Sequence, residues 1–154
     1  MDARRGAFTI STDPARLDRA AIHEFLAGSY WAEGISREIV DRSIEGSLNF
    51  GLYDGARQAG FARVVTDRST FAYVCDVFVL PSHQGRGLAR WLMEVVRAHP
   101  DLQGLRRWML LTRDAHPLYL TAGFSRVEDP ARYMEIVDRE IYSRPRASSE
   151  GTMP

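Results

Sequence analysis

Residues 84–89 read Gln-Gly-Arg-Gly-Leu-Ala, a pattern that can bind phosphate. The two glycines allow a tight turn and a close approach of the backbone to a ligand. The apolar spacing that follows predicts a helix over residues 88–98, whose first amides lack intrahelical partners and lie at the positive end of the helix dipole. Such a junction attracts phosphate groups, and Arg86 and Arg90 add charged ligands. The pattern is neither a P-loop nor a Rossmann fingerprint, and an ordinary tight turn is the alternative.

Asp76 is a candidate general base. It interrupts the most apolar stretch of the chain, residues 70–80, which predicts a central strand. A buried carboxylate is costly unless it is paired, and such a position often has a function. A hydrogen bond to a neighbouring loop is the structural alternative. The adjacent Cys75 is interpreted as a small buried apolar residue rather than a nucleophile, because no histidine is in obvious partnership with it.

Tyr30, Trp31 and Glu33 form a second group of functional interest, in a stretch that breaks the helical periodicity around it. An aromatic pair can cover an amine through cation–π contact, and a carboxylate can accept its proton. Plain packing of the two rings is the alternative. His116 is a third candidate base.

The composition argues against several classes of function. The 154 residues include 20 basic and 20 acidic side chains, a balance that gives no support to a nucleic-acid binder. A single cysteine cannot form an internal disulfide, and the four histidines lack zinc-site spacing, so we expect no metal. The sequence has neither an apolar run of about 18 residues nor a signal-peptide pattern, so we expect no membrane span and a cytoplasmic location.

The predicted elements alternate between strands and helices. A short strand over residues 8–10 leads to a helix that Asp13 and Pro14 open. A second short helix follows Ser36, and a hairpin turns at Asp54 and Gly55. The strands of that hairpin and the later elements are strand 48–53, strand 59–65, strand 70–80, helix 88–98, strand 108–112, helix 115–122, and closing strands 124–127 and 133–137.

This order predicts a mixed α/β fold with a mainly antiparallel central sheet and flanking helices. The strand, helix and strand over residues 70–112 form a crossover at its centre. The length suits one domain, which we place at residues 1–142. The polar residues 143–154, which include proline and glycine, predict a disordered tail.

Two motifs together resemble the GNAT superfamily of N-acetyltransferases. The loop Gln84-Gly85-Arg86-Gly87-Leu88-Ala89 matches the family pattern Arg/Gln-x-x-Gly-x-Gly/Ala, and the strand before it ends as the family's fourth strand does. Further along, Leu118-Tyr119 followed by Gly123-Phe124 is similar to the family's Leu-Tyr and Gly-Phe signature. The resemblance covers residues 6–140 and implies an acyl-CoA N-acyltransferase fold that uses acetyl-CoA.

The resemblance implies that CoA is held mainly by the backbone. The amides of residues 84–89 bind the pyrophosphate in the family, and the pantetheine arm lies along the splayed strand end, here Val77, Phe78 and Val79. A strand amide there faces the thioester carbonyl and stabilises the developing oxyanion. Thr112 stands where many relatives have an asparagine that bonds the pantetheine.

The resemblance also implies a reaction, in which the acetyl group passes to an amine of a small molecule or peptide by direct attack in a ternary complex. Tyr119 matches the family tyrosine that often protonates the departing thiolate, and relatives build the acceptor site near Tyr30, Trp31 and Glu33. Polyamine-type relatives have a glutamate where this chain has Cys75, which argues against a polyamine substrate. Family members often dimerise, so a homodimer is one expected assembly. The alternative function is a non-catalytic acyl-CoA-binding sensor or interaction module.

Overall fold

The computed structural model describes residues 1–145 of the chain. Most of the predicted tail, residues 146–154, therefore lies outside the described residues. Its first residues are held locally: the Ser143 hydroxyl donates to the Glu140 carbonyl at 2.9 Å, and Arg144 forms an ion pair with Asp138 at 2.8 Å.

Within residues 1–145, six strands form one sheet in the order in which they occur along the chain, so the crossover predicted at its centre lies at one edge. The first five pair antiparallel, and the sixth runs parallel to the fifth, which confirms the mixed α/β prediction with its mainly antiparallel sheet. The first strand, before Gly6, was not predicted. The strands are β1 Asp2–Arg5, β2 Phe8–Ser11, β3 Leu48–Asp54, β4 Arg57–Thr66, β5 Phe71–Val79 and β6 Arg107–Met109.

In the described part of the chain, four α-helices cover the two faces of this sheet. They are α1 Arg19–Ala27, α2 Arg37–Glu45, α3 Leu88–Ala98 and α4 His116–Thr121. Helix α3 buries Trp91, Leu92 and Val96 against one face, together with neighbouring apolar residues. Helices α1 and α2 pack on Phe61 and Phe78 at the other face. No helix within residues 1–145 is long and apolar enough to cross a membrane.

The β5 strand has a bulge and a free edge, and both matter for the site. Phe61 of β4 pairs with Phe78, but Arg63 pairs with Cys75, so two residues of β5 oppose one of β4. Asp76 lies in the bulge with φ +54°, a left-handed conformation that is rare outside glycine. On its other side β5 pairs with β6 only from Phe71 to Tyr73, and within residues 1–145 no strand lies beside the rest of that edge.

The predicted closing strands, residues 124–127 and 133–137, are wrong for the described structure. Both segments lack strand pairing, and a 3-10 turn at Pro130–Arg132 separates them. The predicted strand 108–112 is also shorter, because β6 ends at Met109. A strand needs a partner edge, and a three-residue β6 offers almost none. As a result Met134 and Ile136 are fully exposed, at 98% and 105% of their reference areas.

The first helix begins later than predicted. Asp13 and Pro14 open only a 3-10 turn, in which the Asp13 carboxylate accepts from the Ala15 amide. The chain then extends, and Asp18 caps α1 by accepting from the Ala21 amide. Asp13 and Asp18 each act as an N-cap. Only Asp18 is followed by helical residues that are buried in the core. The second helix begins after Ser36, as predicted.

Candidate active site

The junction between β5 and α3 presents free backbone amides. A 3-10 turn at Pro81–His83 leads into a loop in which Gly85 and Gly87 have φ values of +78° and +72°. Gly87 is the N-cap of α3, and no side chain caps the helix. The amides of the first helical turn therefore lack partners at the positive end of an 11-residue helix. This is the arrangement that the glycine pattern predicts for a phosphate site.

A groove of about 250 Å³ lies against this loop. Arg90 borders it, whereas Arg86 is exposed and is not one of the residues that line it. The Gln84 side chain donates to the Val79 carbonyl at 2.9 Å, so it ties the loop to the end of β5. The groove is lined by Val79, His83, Gln84, Gly85, Gly87, Leu88, Ala89, Arg90 and Leu118.

The free edge of β5 runs up to this groove. It carries Val77, Phe78 and Val79, the residues expected to contact pantetheine. The Phe78 side chain is committed to the core, because its ring stacks on Phe25 with centroids 3.9 Å apart. Only the backbone of this segment is available at the edge, which suits a ligand that pairs as a strand does.

Each carboxylate oxygen of Asp76 accepts a hydrogen bond from another side chain. Its Oδ2 accepts from Arg63 Nε at 2.7 Å, and its Oδ1 accepts from Trp31 Nε1 at 3.1 Å. Burial by itself would lower the pKa of Arg63. The nearby Asp76 carboxylate favours the charged guanidinium, and the pKa of Arg63 is raised overall. The carboxylate therefore fixes Trp31 beside the β5 bulge. This pairing is the structural alternative considered for Asp76, and it competes with a role as base.

The aromatic pair is brought to the site, but one of its faces is already covered. Tyr30 and Trp31 meet edge to face at 5.1 Å. The Arg113 guanidinium lies 3.8 Å over the Tyr30 ring, and the Tyr30 hydroxyl accepts from the Arg113 amide at 3.3 Å. A substrate cation therefore cannot use that face of Tyr30. Trp31 is 41% exposed and remains accessible.

Tyr119, the predicted proton donor, packs against the apolar core. It lies on α4, half-buried, with its ring edge to face against Phe124 at 6.0 Å. Burial raises the pKa of Tyr119 to about 12, with smaller contributions from Tyr30 and Cys75. Within the described residues its hydroxyl makes no hydrogen bond. The ordinary pKa of 10.0 already keeps a phenol protonated at neutral pH, so the unshared proton of Tyr119 follows from the missing hydrogen bond and not from burial.

A second groove, of about 1010 Å³, runs between β6, α4 and residues 124–133. Thr112 and Tyr119 both line it. The Thr112 hydroxyl accepts from the Ala115 amide at 3.0 Å, so its oxygen orders the turn before α4. His116 also lines this groove and is exposed.

Glu33 is the candidate that the structure leaves least constrained. It is exposed on the loop that carries Trp31, and it forms no ion pair in the described part of the chain. Among residues 1–145 no group of three or more His, Cys, Asp or Glu side chains is arranged to hold a metal ion.

Two functional candidates, Arg63 and Arg113, escaped the sequence analysis. An arginine within the apolar strand of Phe61 and Val64 was a usable signal for Arg63, since a buried charge calls for a partner. Arg113 had no such signal, because its contact with Tyr30 spans 83 positions.

Cys75 is expected to resist alkylation. Burial raises the pKa of its thiol to about 12, from an ordinary 9.0. The reactive thiolate is then about 1,000-fold rarer than in the unfolded chain, and iodoacetamide should label the folded protein slower by that factor at pH 8. Mass spectrometry with and without urea measures both rates, and the chain's single cysteine makes the signal unambiguous. Equal rates would show an accessible thiolate and reopen a nucleophilic role.

Comparisons with known proteins agree with this fold. A family model described as an acetyltransferase (GNAT) domain matches residues 45–126. A candidate acetyltransferase from Gibberella zeae is 35% identical over 138 residues, which cover 75% of this chain and 77% of that protein. A crystal structure of a candidate GNAT-family acetyltransferase from Xanthomonas campestris pv. campestris is 48% identical, with a TM-score of 0.87 over 89% of this chain and 97% of that one.

The fold is that of acetyltransferases more widely. A candidate acetyltransferase from Clostridium acetobutylicum, solved with acetyl-CoA, has a TM-score of 0.61 at 12% identity over 89% of this chain and 96% of that one. The chain belongs to the GNAT acetyltransferase family. The family uses acetyl-CoA as its acetyl donor.

Proposed function

We propose that the chain is an acetyl-CoA-dependent N-acetyltransferase that transfers the acetyl group directly to an amine of a small molecule or peptide. The observation that carries this proposal is the position of Tyr119, a phenol that lines the groove between β6 and α4 and whose hydroxyl forms no hydrogen bond in the described residues. A binding module would have no need of such a group, whereas a leaving thiolate needs a proton.

The cofactor is held by the loop and the strand edge. The Gln84 amide donates to the Pro81 carbonyl at 3.4 Å, so the pyrophosphate is bound by the amides of residues 85–89 and the α3 dipole. Arg90, which borders the groove, adds charge. The pantetheine arm extends along the unpaired edge at Val77, Phe78 and Val79. A strand amide there donates to the thioester carbonyl, and Thr112 lines the adjoining groove near Tyr119.

The two carboxylates divide their roles. An amine reaches the site mostly as an ammonium ion and must lose a proton before it attacks. Asp76 already accepts bonds from Arg63 and Trp31, so its main effect is to fix the Trp31 ring at the acceptor side. Glu33, without an ion-pair partner in residues 1–145, takes the proton directly or through water.

The acetyl group is transferred through a tetrahedral intermediate. The amine nitrogen bonds to the thioester carbon, and the oxyanion forms beside the strand amide. The attacking nitrogen, now positively charged, passes its second proton through water to solvent, and the carbonyl reforms as the carbon–sulfur bond breaks. The thiolate takes the Tyr119 proton and leaves as free CoA, and solvent reprotonates the phenolate.

A screen of amines with acetyl-CoA, read by release of free thiol, tests the proposal. We expect release with at least one amine, with the acetylated amine found by mass spectrometry. A melting scan with and without CoA serves as the companion measurement, because a bound ligand raises the melting temperature. A raised melting temperature without thiol release from any amine would contradict catalysis and favour an acyl-CoA-binding module.

A further inference from the structure

Arg113 is a cation fixed at the acceptor side of the site, with no substrate role so far assigned to it. We infer that it recognises a carboxylate on the acceptor, so that the substrates are amines that also carry a carboxylate group. This inference rests on the proposed N-acetyltransferase function and names its substrate class.

The position of Arg113 follows from a chain of contacts. Its guanidinium stacks on Tyr30 at 3.8 Å, and Tyr30 meets Trp31 edge to face. Trp31 donates to Asp76 in the β5 bulge, beside the free strand edge. Tyr30 also contributes to the raised pKa of Tyr119, so the Tyr30 ring lies near the proposed proton donor. Arg113 is therefore linked through Tyr30 and Trp31 to the bulge of β5.

The Arg113 guanidinium is held in place by a contact that leaves its hydrogen-bond donors available. Stacking on Tyr30 uses its face, whereas its donors lie in its plane. Its carboxylate neighbour is Asp114, at 3.8 Å, and both side chains are about two-thirds exposed, at 66% and 64%. That distance is too long for a good hydrogen bond. A planar donor fork fixed in this way matches a carboxylate, which accepts two parallel bonds from it.

The charge pattern favours an acceptor that carries both signs. Arg113 repels a second cation from the exposed face of the Tyr30 stack. Glu33 lies two residues from Trp31 on the same loop and supplies a negative charge. An amine with a carboxylate meets both requirements, because the carboxylate pairs with Arg113 and the ammonium lies toward Glu33. A simple diamine meets only one.

Matched acceptors test the inference kinetically. Amino acids are compared with their own amides, which keep the amine on the same carbon and lose the carboxylate charge. We expect Arg113→Gln to raise KM for the acids at least 10-fold, and to change KM for the amides less than 2-fold. Arg42→Gln, an arginine 72% exposed on α2, is the matched control and should change neither. A wild-type preference for the amides, or equal effects of Arg113→Gln on both series, would overturn the inference.

A binding measurement separates this inference from the proposed function. N-acetyl amino acids and their amides are titrated into ¹⁵N-labelled protein, and the arginine side-chain Nε–Hε signals are followed by NMR. We expect the acids alone to shift one signal, which is missing in Arg113→Gln. If the acids shift this signal but no amine causes thiol release, catalysis is contradicted and carboxylate recognition by Arg113 is supported. Thiol release without a carboxylate-dependent shift would leave catalysis standing and overturn the role of Arg113.

Discussion

Gly87→Glu is expected to abolish CoA binding, with a loss of affinity of at least about 100-fold. The substitution puts a negative charge at the N-cap of α3, where the pyrophosphate would lie. It also forces a side chain into a backbone with φ +72°, which costs about 1–2 kcal/mol. A Cβ at this position meets no atom within 4 Å, so the helix and the fold should persist. Isothermal titration with CoA measures the loss.

Gly87→Asn is the matched control for that prediction. Asparagine tolerates the left-handed conformation better than most residues and carries no charge. It should keep CoA affinity within about 10-fold, since only modest strain is added. Circular dichroism on both variants checks the fold. Unchanged affinity in Gly87→Glu would refute the assignment of this loop to the pyrophosphate.

Tyr119→Phe is expected to lower kcat about 100-fold or more, with little change in KM for acetyl-CoA. The phenol is the proposed acid, and burial keeps its pKa at about 12. Because that pKa is raised, wild-type activity should show no falling limb from this group between pH 7 and about 10. The Tyr119 hydroxyl forms no hydrogen bond in the described residues, so the melting temperature should hardly change. Steady-state kinetics and a pH profile measure these effects.

Tyr133→Phe provides the matched control. Tyr133 also lines the groove between β6 and α4. The Arg107 guanidinium lies over its ring, 5.7 Å from the ring centroid. Loss of its hydroxyl should leave kcat unchanged, because it takes no part in the proposed transfer. Wild-type turnover in Tyr119→Phe would exclude that phenol as the essential acid and point to water as the proton source.

Local patterns were sufficient to predict the parts of the fold that local physics determines. The apolar stripe and the glycine before it predicted α3 with its observed limits, Leu88–Ala98. The Asp54-Gly55 pair predicted the β3–β4 hairpin, and Gly55 has the positive φ that such a turn needs. The GNAT fold followed because two motifs, the glycine loop and the Leu-Tyr and Gly-Phe signature, lie in a fixed order.

The remaining features depend on contacts between distant parts of the chain. Residues 133–137 have a strand-like composition, but a strand forms only where an edge is free to pair, and the length of β6 was not encoded locally. The bulge at Asp76 reflects the register of β4 against β5. The partners of Asp76, Trp31 and Arg63, lie 45 and 13 positions away. The sequence identified Asp76 as unusual, and only the folded chain supplied the reason.

The free edge of β5 also bears on how the protein behaves in solution. An unpaired edge next to an apolar core is a template for adventitious strand addition, and this is a route to aggregation. Along Val77, Phe78 and Val79 the edge carries no charged side chain to discourage such pairing. On the proposed binding mode the pantetheine arm covers this segment, so CoA would act as a protective cap as well as a co-substrate. Colloidal stability and catalysis would then depend on the same few backbone amides.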